Sequence, residues 1–284
     1  MIPARRWFAF LLISAVCLPL AAAEGPVAPE RIDVPGRREQ LSIGQLFVPD
    51  YLEVSARKPV DLVVFFHGAA WCSEQNFYQS RRNAALVSIS LKAYDTEFEK
   101  PARFQSLLKE TARAIGGKSG DVKLGRICLA SFSGGYAAIW RILQDSQAFG
   151  QVTDVVLADS LYCQVLDRNS SPPKLNEDHM QPFLEFARAA ARREKRMWYT
   201  HLFPPEEQHR GNTTTLTASY LIDHLGAFRM PRDSTNRLGM RLLYSCDLGE
   251  FHVRGFSGMT TQDHFNHFYV MADYLAKTSF GRAK

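Results

Sequence analysis

The chain has 284 residues, of which 46% are hydrophobic, 22% charged and 12% aromatic. That composition supplies a sizeable core, and it excludes a disordered chain, a collagen-like repeat and a miniprotein held only by disulfides. The formal net charge of +5 is too mild to point to a nucleic-acid partner, whose footprint is a clustered basic surface.

Residues 1–23 read as a secretory signal peptide. A short positive start with Arg5 and Arg6 precedes an apolar run from Trp7 to Leu20, and Ala21-Ala22-Ala23 supplies the small residues of a cleavage site. Pro19 and the alanines end the run short of the ~20 apolar residues a membrane span needs, so no stable span is expected. Val16 stands before Cys17 where a lipoprotein signal needs a small residue. Export to a periplasm or the exterior follows as an expectation. Cys72, Cys128, Cys163 and Cys246 would then sit in an oxidising compartment, where both paired and free states are open.

Residues 24–39, rich in Pro, Gly and charge, read as an N-terminal arm. From 40 onward, strands and helices alternate. Residues 40–48 form a first strand. Residues 61–66 are a continuous apolar run of the kind found in a parallel strand buried on both faces, and 84–91 is another. Residues 104–115 have helical spacing and stop at Gly116-Gly117. A strand at 127–130 leads to a helix at 134–143, and a strand follows at 155–158. A helix at 181–193, a strand at 197–203 and a helix at 216–225 come next. Residues 242–245 and 251–256 form a late strand or hairpin, and 264–276 a closing helix. This alternation predicts an α/β domain over 40–284, with a mostly parallel central sheet flanked by helices. The segment 164–195 is a candidate small cap or insertion. In such sheets, ligands bind at the carboxyl ends of the strands.

The sharpest motif is Leu129-Ala130-Ser131-Phe132-Ser133-Gly134-Gly135-Tyr136, a buried strand that turns through small residues into a helix. It resembles the nucleophile elbow of the α/β-hydrolase family, G-x-S-x-G, with Ser131 in place of the first glycine. Upstream, Phe66-His67-Gly68-Ala69-Ala70 is similar to that family's oxyanion loop. The resemblance implies a serine hydrolase without a cofactor. Ser133 would be the nucleophile, with an oxyanion hole built from the backbone amides of Gly134 and of Ala69 or Ala70. The family's histidine precedes the closing helix, a place that His264 matches better than His267, and Asp263 suits a helix cap. The acid follows a strand end. Asp159, after 155–158, has the cleaner context, and Glu206, Glu207 and Asp247 are alternatives. The order Ser133, Asp159, His264 is the family's order.

His264 and His267 also spell H-x-x-H, but nothing near them completes a metal-ligand set, so no metal is expected. No nucleotide or flavin fingerprint is present. The implied activity is cleavage of a carboxylic ester through an acyl-enzyme, on a small-molecule or envelope-derived acyl substrate. A peptidase or amidase with the same triad and a silent hydrolase-fold binding protein are the alternatives. Trp71, Phe77, Tyr78, Leu161 and Tyr162 are candidate pocket walls, and the basic run Arg188, Arg192, Arg193, Lys195 and Arg196 is either a cap for anionic substrates or a solvated face.

Overall fold

A computed structural model describes residues 27–55, 58–117, 120–209, 211 and 213–283. The expected signal peptide at 1–23 lies outside them. The strands, in chain order, are β1 (Gly36–Gln40), β2 (Gln45–Pro49), β3 (Val60–Phe66), β4 (Ala84–Ile89), β5 (Leu124–Phe132) and β6 (Val152–Ala158). They continue with β7 (Val165–Asp167), β8 (Lys174–Leu175), β9 (Arg196–Leu202), β10 (Met230–Thr235), β11 (Arg241–Leu248) and β12 (Phe251–Phe256). The helices are α1 (Ala70–Ser80), α2 (Tyr94–Glu97), α3 (Pro101–Gly116), α4 (Tyr136–Gln144), α5 (Ser146–Gln151), α6 (Glu177–Ala191), α7 (Thr213–His224), α8 (Thr261–Tyr269) and α9 (Met271–Leu275).

Ten of the strands form one sheet in the order β1-β2-β4-β3-β5-β6-β9-β12-β11-β10. The six central strands, β4 to β12 in that order, run parallel, while β1 and β2 at one end and β11 and β10 at the other are antiparallel. The apolar runs explain the centre. On β3, Leu62, Val64 and Phe66 join the core on one face, and Val63 and Phe65 join the core on the other. A side-chain period of two on a strand covered on both sides requires this arrangement. The first core takes Leu107 from α3, Ile139 from α4, Phe183 from α6 and Leu221 from α7. The second takes Phe77 from α1, Phe268 from α8 and Leu275 from α9. Each such fully buried aliphatic or aromatic side chain stabilises the fold by ~1.5–3 kcal/mol.

The structure corrects two expectations, for 40–48 and for the arm, and adds two elements that the sequence did not show, α1 and β10. The single strand at 40–48 is two strands, since Gly44 (φ 75°) turns the chain and β1 pairs antiparallel with β2. The arm therefore contributes β1 as well. Helix α1 carries no apolar stripe; it buries Ser73, Glu74, Gln75 and Asn76 and is held by tertiary bonds instead. Asn76 donates to the Phe268 carbonyl (3.2 Å) and accepts from the Ala272 amide (2.9 Å). Strand β10 is exposed along its whole length and so lacks the alternation that marks a half-buried strand. Within 164–195, β7 and β8 form their own two-stranded sheet, and α6 joins the helical layer through Phe183, Phe186 and Ala187. Cys72, Cys128, Cys163 and Cys246 are buried free thiols.

Candidate active site

The connection after β3 leads to β4 on one side, whereas the connection after β5 leads to β6 on the other. Such a reversal opens a crevice at the carboxyl ends of the strands. The loops that follow β3, β5, β6, β9 and β12 all emerge along this edge.

Strand β5 delivers Ser133 there. The chain bends at Ser133 with φ of 49°, a left-handed conformation that costs a non-glycine residue ~1–2 kcal/mol. A 3-10 turn, Ser133–Gly135, then runs into α4. The turn presses against β3: a Cβ on Gly135 would lie 2.3 Å from the Phe66 carbonyl oxygen, so only glycine fits. A Cβ on Gly134 would meet nothing within 4 Å, so the turn is open on that side. Ser131, the departure from the expected glycine, is fully buried in extended β5. Its hydroxyl lies 2.7 Å from Ser160 Oγ, which in turn donates to the Ser133 carbonyl at 2.7 Å. Because Ser160 has one proton to give, Ser131 is the donor to Ser160. Two buried hydroxyls therefore brace the bend.

Asp159 follows β6, also with positive φ (39°). Its carboxylate is buried and fully engaged. Oδ2 accepts from His264 Nδ1 at 2.6 Å, and Oδ1 accepts from Thr214 Oγ1 at 2.7 Å and from the Leu202 amide at 3.0 Å. Burial pushes the carboxyl upward, but the hydrogen bond from His264, the neighbouring imidazoles and the Leu202 amide outweigh it and hold it at about 2. Carboxylate, imidazole and donors thus form one satisfied network.

His264 enters from α8, whose start is fixed by a capping box. Asp263 accepts from the Thr260 amide (2.9 Å), and its own amide donates to Thr260 Oγ1 (3.1 Å). Asp263 is therefore occupied as a cap. The His264 ring packs 4.5 Å from Phe132, the residue directly before Ser133, and Phe132 stacks in turn on Phe268 at 5.0 Å. His267, one turn on, is fully buried, with Nδ1 2.8 Å from Thr200 Oγ1. Burial lowers its pKa to about 4.

Along β3's edge, His67 (φ 74°) and Gly68 (φ 108°) turn the chain into Ala69 and the start of α1 at Ala70. Gly68 is required because a Cβ would lie 2.7 Å from the Phe268 ring. The first amides of a helix lack intrahelical acceptors, so Gly134, Ala69 and Ala70 all sit where backbone donors are available. A cleft of about 360 Å³ adjoins the pair of Asp159 and His264, and Tyr162, Leu202, Thr213, Thr214 and Met259 contribute to its lining.

The other candidate acids lie elsewhere. Glu206 and Glu207 are exposed on a 3-10 turn after β9. Asp247 sits on the β11–β12 hairpin, bonded to His252 (2.5 Å) and Arg254 (2.9 Å). Its neighbour Phe251 pairs with Met197 near the start of β9, at the opposite edge of the sheet from His264. The basic run after α6 is at that far edge too: Arg192 pairs with Glu194, Arg196 pairs with Glu250, and Lys195 donates to the Phe149 and Val152 carbonyls. Among the described residues no group of His, Cys, Asp and Glu could hold a metal, and no helix is long and apolar enough to cross a membrane. Sequence reasoning missed Ser160, Thr214 and the Leu202 amide, since nothing local marks a residue as a donor to a distant carboxylate.

No family model and no curated protein matches the chain. Solved structures similar to it include carboxyl esterase 2 from the mycorrhizal fungus Tuber melanosporum, 14% identical with a TM-score of 0.43, over 89% of this chain and 90% of that one. A hormone-sensitive lipase from a metagenome library is 13% identical with a TM-score of 0.42, over 88% and 87%. A Pyrococcus horikoshii acylaminoacyl peptidase is 9% identical with a TM-score of 0.43, over 90% of this chain and 43% of that one. Likeness at this level carries no argument about chemistry. The architecture itself is a mixed α/β fold with a large, mostly parallel sheet flanked by helices, as the sequence predicted.

Proposed function

We propose that this chain is a serine hydrolase that cleaves a carboxylic ester, with Ser133 as nucleophile, His264 as general base and Asp159 as the orienting acid. The observation that carries this reading is the 2.6 Å bond between His264 Nδ1 and a buried, doubly braced Asp159 carboxylate, with the His264 ring packed 4.5 Å from Phe132, the residue before the strained bend at Ser133. With Nδ1 committed to Asp159, the imidazole keeps Nε2 as its proton acceptor. Ser133 Oγ attacks the ester carbonyl carbon, and its proton passes to His264 Nε2. The carbonyl π electrons move to oxygen, where the amides of Gly134 and of Ala69 or Ala70 receive the charge. On collapse the alcohol leaves with the proton from His264, and water repeats the sequence to release the acid. Asp159 stays ionised throughout, as its low pKa permits.

Export belongs to the same proposal. It is supported by Arg5, Arg6, the apolar run and Ala21-Ala22-Ala23, and amino-terminal sequencing of the secreted protein tests it. The activity is tested with a panel of p-nitrophenyl acyl esters of increasing chain length beside matched anilides. Turnover of esters that disappears in Ser133→Ala is the expected result. Equal turnover by that variant would remove the serine from the mechanism.

A further inference from the structure

The parts of the site converge on one aromatic ring. Phe132 ends β5 directly before Ser133, and its register partner on β6, Ala158, directly precedes Asp159. Both side chains enter the core on the face that α8 covers. Phe132 is 2% exposed and meets three rings of α8. Its centroid lies 4.5 Å from His264 at an interplanar angle of 30°, 5.4 Å from Phe265, and 5.0 Å from Phe268 at 11°. His67, on the loop after β3, lies 6.1 Å away at 27°. Two nearly parallel rings 4.5 Å apart are stacked, because side by side at that distance they would collide. The imidazole of the base therefore lies over the face of the ring that precedes the nucleophile. Phe268 holds Phe132 there and is itself pressed by Gly68, where a Cβ would come within 2.7 Å of the Phe268 ring.

We infer that Phe132 is a positioning residue whose ring face holds the His264 imidazole and stabilises, by a cation–π contact, the imidazolium that forms during turnover. This deepens the serine-hydrolase reading and rests on it. As the bond from Ser133 Oγ to the carbonyl carbon forms, the serine proton moves to His264 Nε2, and the neutral ring becomes a cation. Asp159 meets that charge in the plane of the ring, at Nδ1. Phe132 meets it from the flat side. When the alcohol departs it takes the proton, and the imidazole is neutral again; water repeats the cycle at the acyl-enzyme. The face of an aromatic ring is the negative part of its quadrupole, and it attracts a cation within about 6 Å of the centroid. A neutral imidazole gains far less from it. The attraction thus grows on the way to the transition state, which is the condition for an interaction to accelerate a step. Water screens it little, since the His264 side chain is 19% exposed and Phe132 is buried. One ring so couples the base to the strand that carries the nucleophile.

The test replaces Phe132 with 4-fluoro-, 3,5-difluoro- and 3,4,5-trifluorophenylalanine, which keep the shape of the ring while draining negative charge from its face. Phe132→Leu, apolar but without a ring, stands beside them. The readouts are kcat and KM on p-nitrophenyl acetate and the rate of fluorophosphonate labelling at Ser133, each per folded molecule. Both half-reactions form the imidazolium, so kcat reports the contact whichever of them limits. The expected result is a stepwise fall in kcat and labelling with each added fluorine, roughly 3- to 10-fold by the third, with KM within about twofold. Phe132→Leu is expected to fall at least as far. A ring that served packing alone would give no gradient with fluorine number. Fluorinated enzymes as fast as wild type, or a Phe132→Leu enzyme as fast, would overturn the role of Phe132 and leave the hydrolase reading standing. A wild type that neither turns over the ester nor labels at Ser133 would overturn both.

Discussion

Ser131 Oγ and Ser160 Oγ meet 2.7 Å apart in the fully buried space behind the elbow, and Ser160 passes the contact on to the Ser133 carbonyl. The residue that departs from the G-x-S-x-G pattern is thus part of what holds the bend. Ser160→Ala leaves the Ser131 hydroxyl and the Ser133 carbonyl without their partner. Its expected effect is a loss of about 1–3 kcal/mol in urea unfolding, with reduced turnover. Ser131→Gly removes only the outer member, and about 1 kcal/mol is expected. If Ser160→Ala were as stable as wild type, the brace would have no energetic role.

The two glycines of the elbow separate steric need from coincidence. Gly135→Ala drives a methyl to 2.3 Å from the Phe66 carbonyl oxygen, a backbone atom that cannot swing away. It is expected to destabilise the fold by roughly 2 kcal/mol or more and to displace Ser133. Gly134→Ala points its methyl into open space and is expected to fold normally. Thermal melting of the pair checks this. Equal stability of the two variants would contradict the packing described for the elbow.

The assignment of the acid is tested by charge removal. Asp159→Asn preserves size but lets the amide face His264 with the wrong hydrogen-bonding sense. A fall in kcat of about 10³–10⁴ is expected, as for other triads deprived of their orienting carboxylate. Glu206→Gln, Glu207→Gln and Asp247→Asn are expected to stay within about twofold. Near-normal turnover by Asp159→Asn, with a collapse in one of the others, would move the role.

Acid stability reports the buried histidines. His267 and His201 are fully buried, and desolvation lowers their pKa values to about 4 and about 3. The unfolded chain takes up protons at these positions below about 6.5 while the folded chain does not, so stability falls as pH drops from about 6.5 toward 4. The combined loss by pH 4 is on the order of several kcal/mol. Asp159 acts lower on the scale: its depressed pKa stabilises the fold above about 4, and that contribution disappears as pH falls toward about 2. Urea midpoints measured from pH 7 to pH 4 check the first effect, and His267→Asn is expected to flatten part of the slope.

Much of this was legible in the sequence because the central strands are continuous apolar runs and the chemistry follows their ends. The turn at Ser133, the capping box of Asp263 and the strand-end position of Asp159 are all local patterns. What stayed hidden is non-local. Helix α1 buries Glu74 and Asn76 against partners on β1, α8 and α9, so its own periodicity is silent. Strand β10 is exposed throughout and pairs only because β11 offers an edge. The donors around Asp159 come from β9 and α7, and no spacing rule links those positions.

The most direct measurement is mass spectrometry of the intact protein after treatment with a fluorophosphonate, followed by mapping of the modified peptide. One adduct per chain on Ser133, absent in Ser133→Ala and formed far more slowly in His264→Ala, is the expected result. An adduct on another residue, or labelling of Ser133 that proceeds equally fast without the imidazole of His264, would contradict the proposed catalytic machinery.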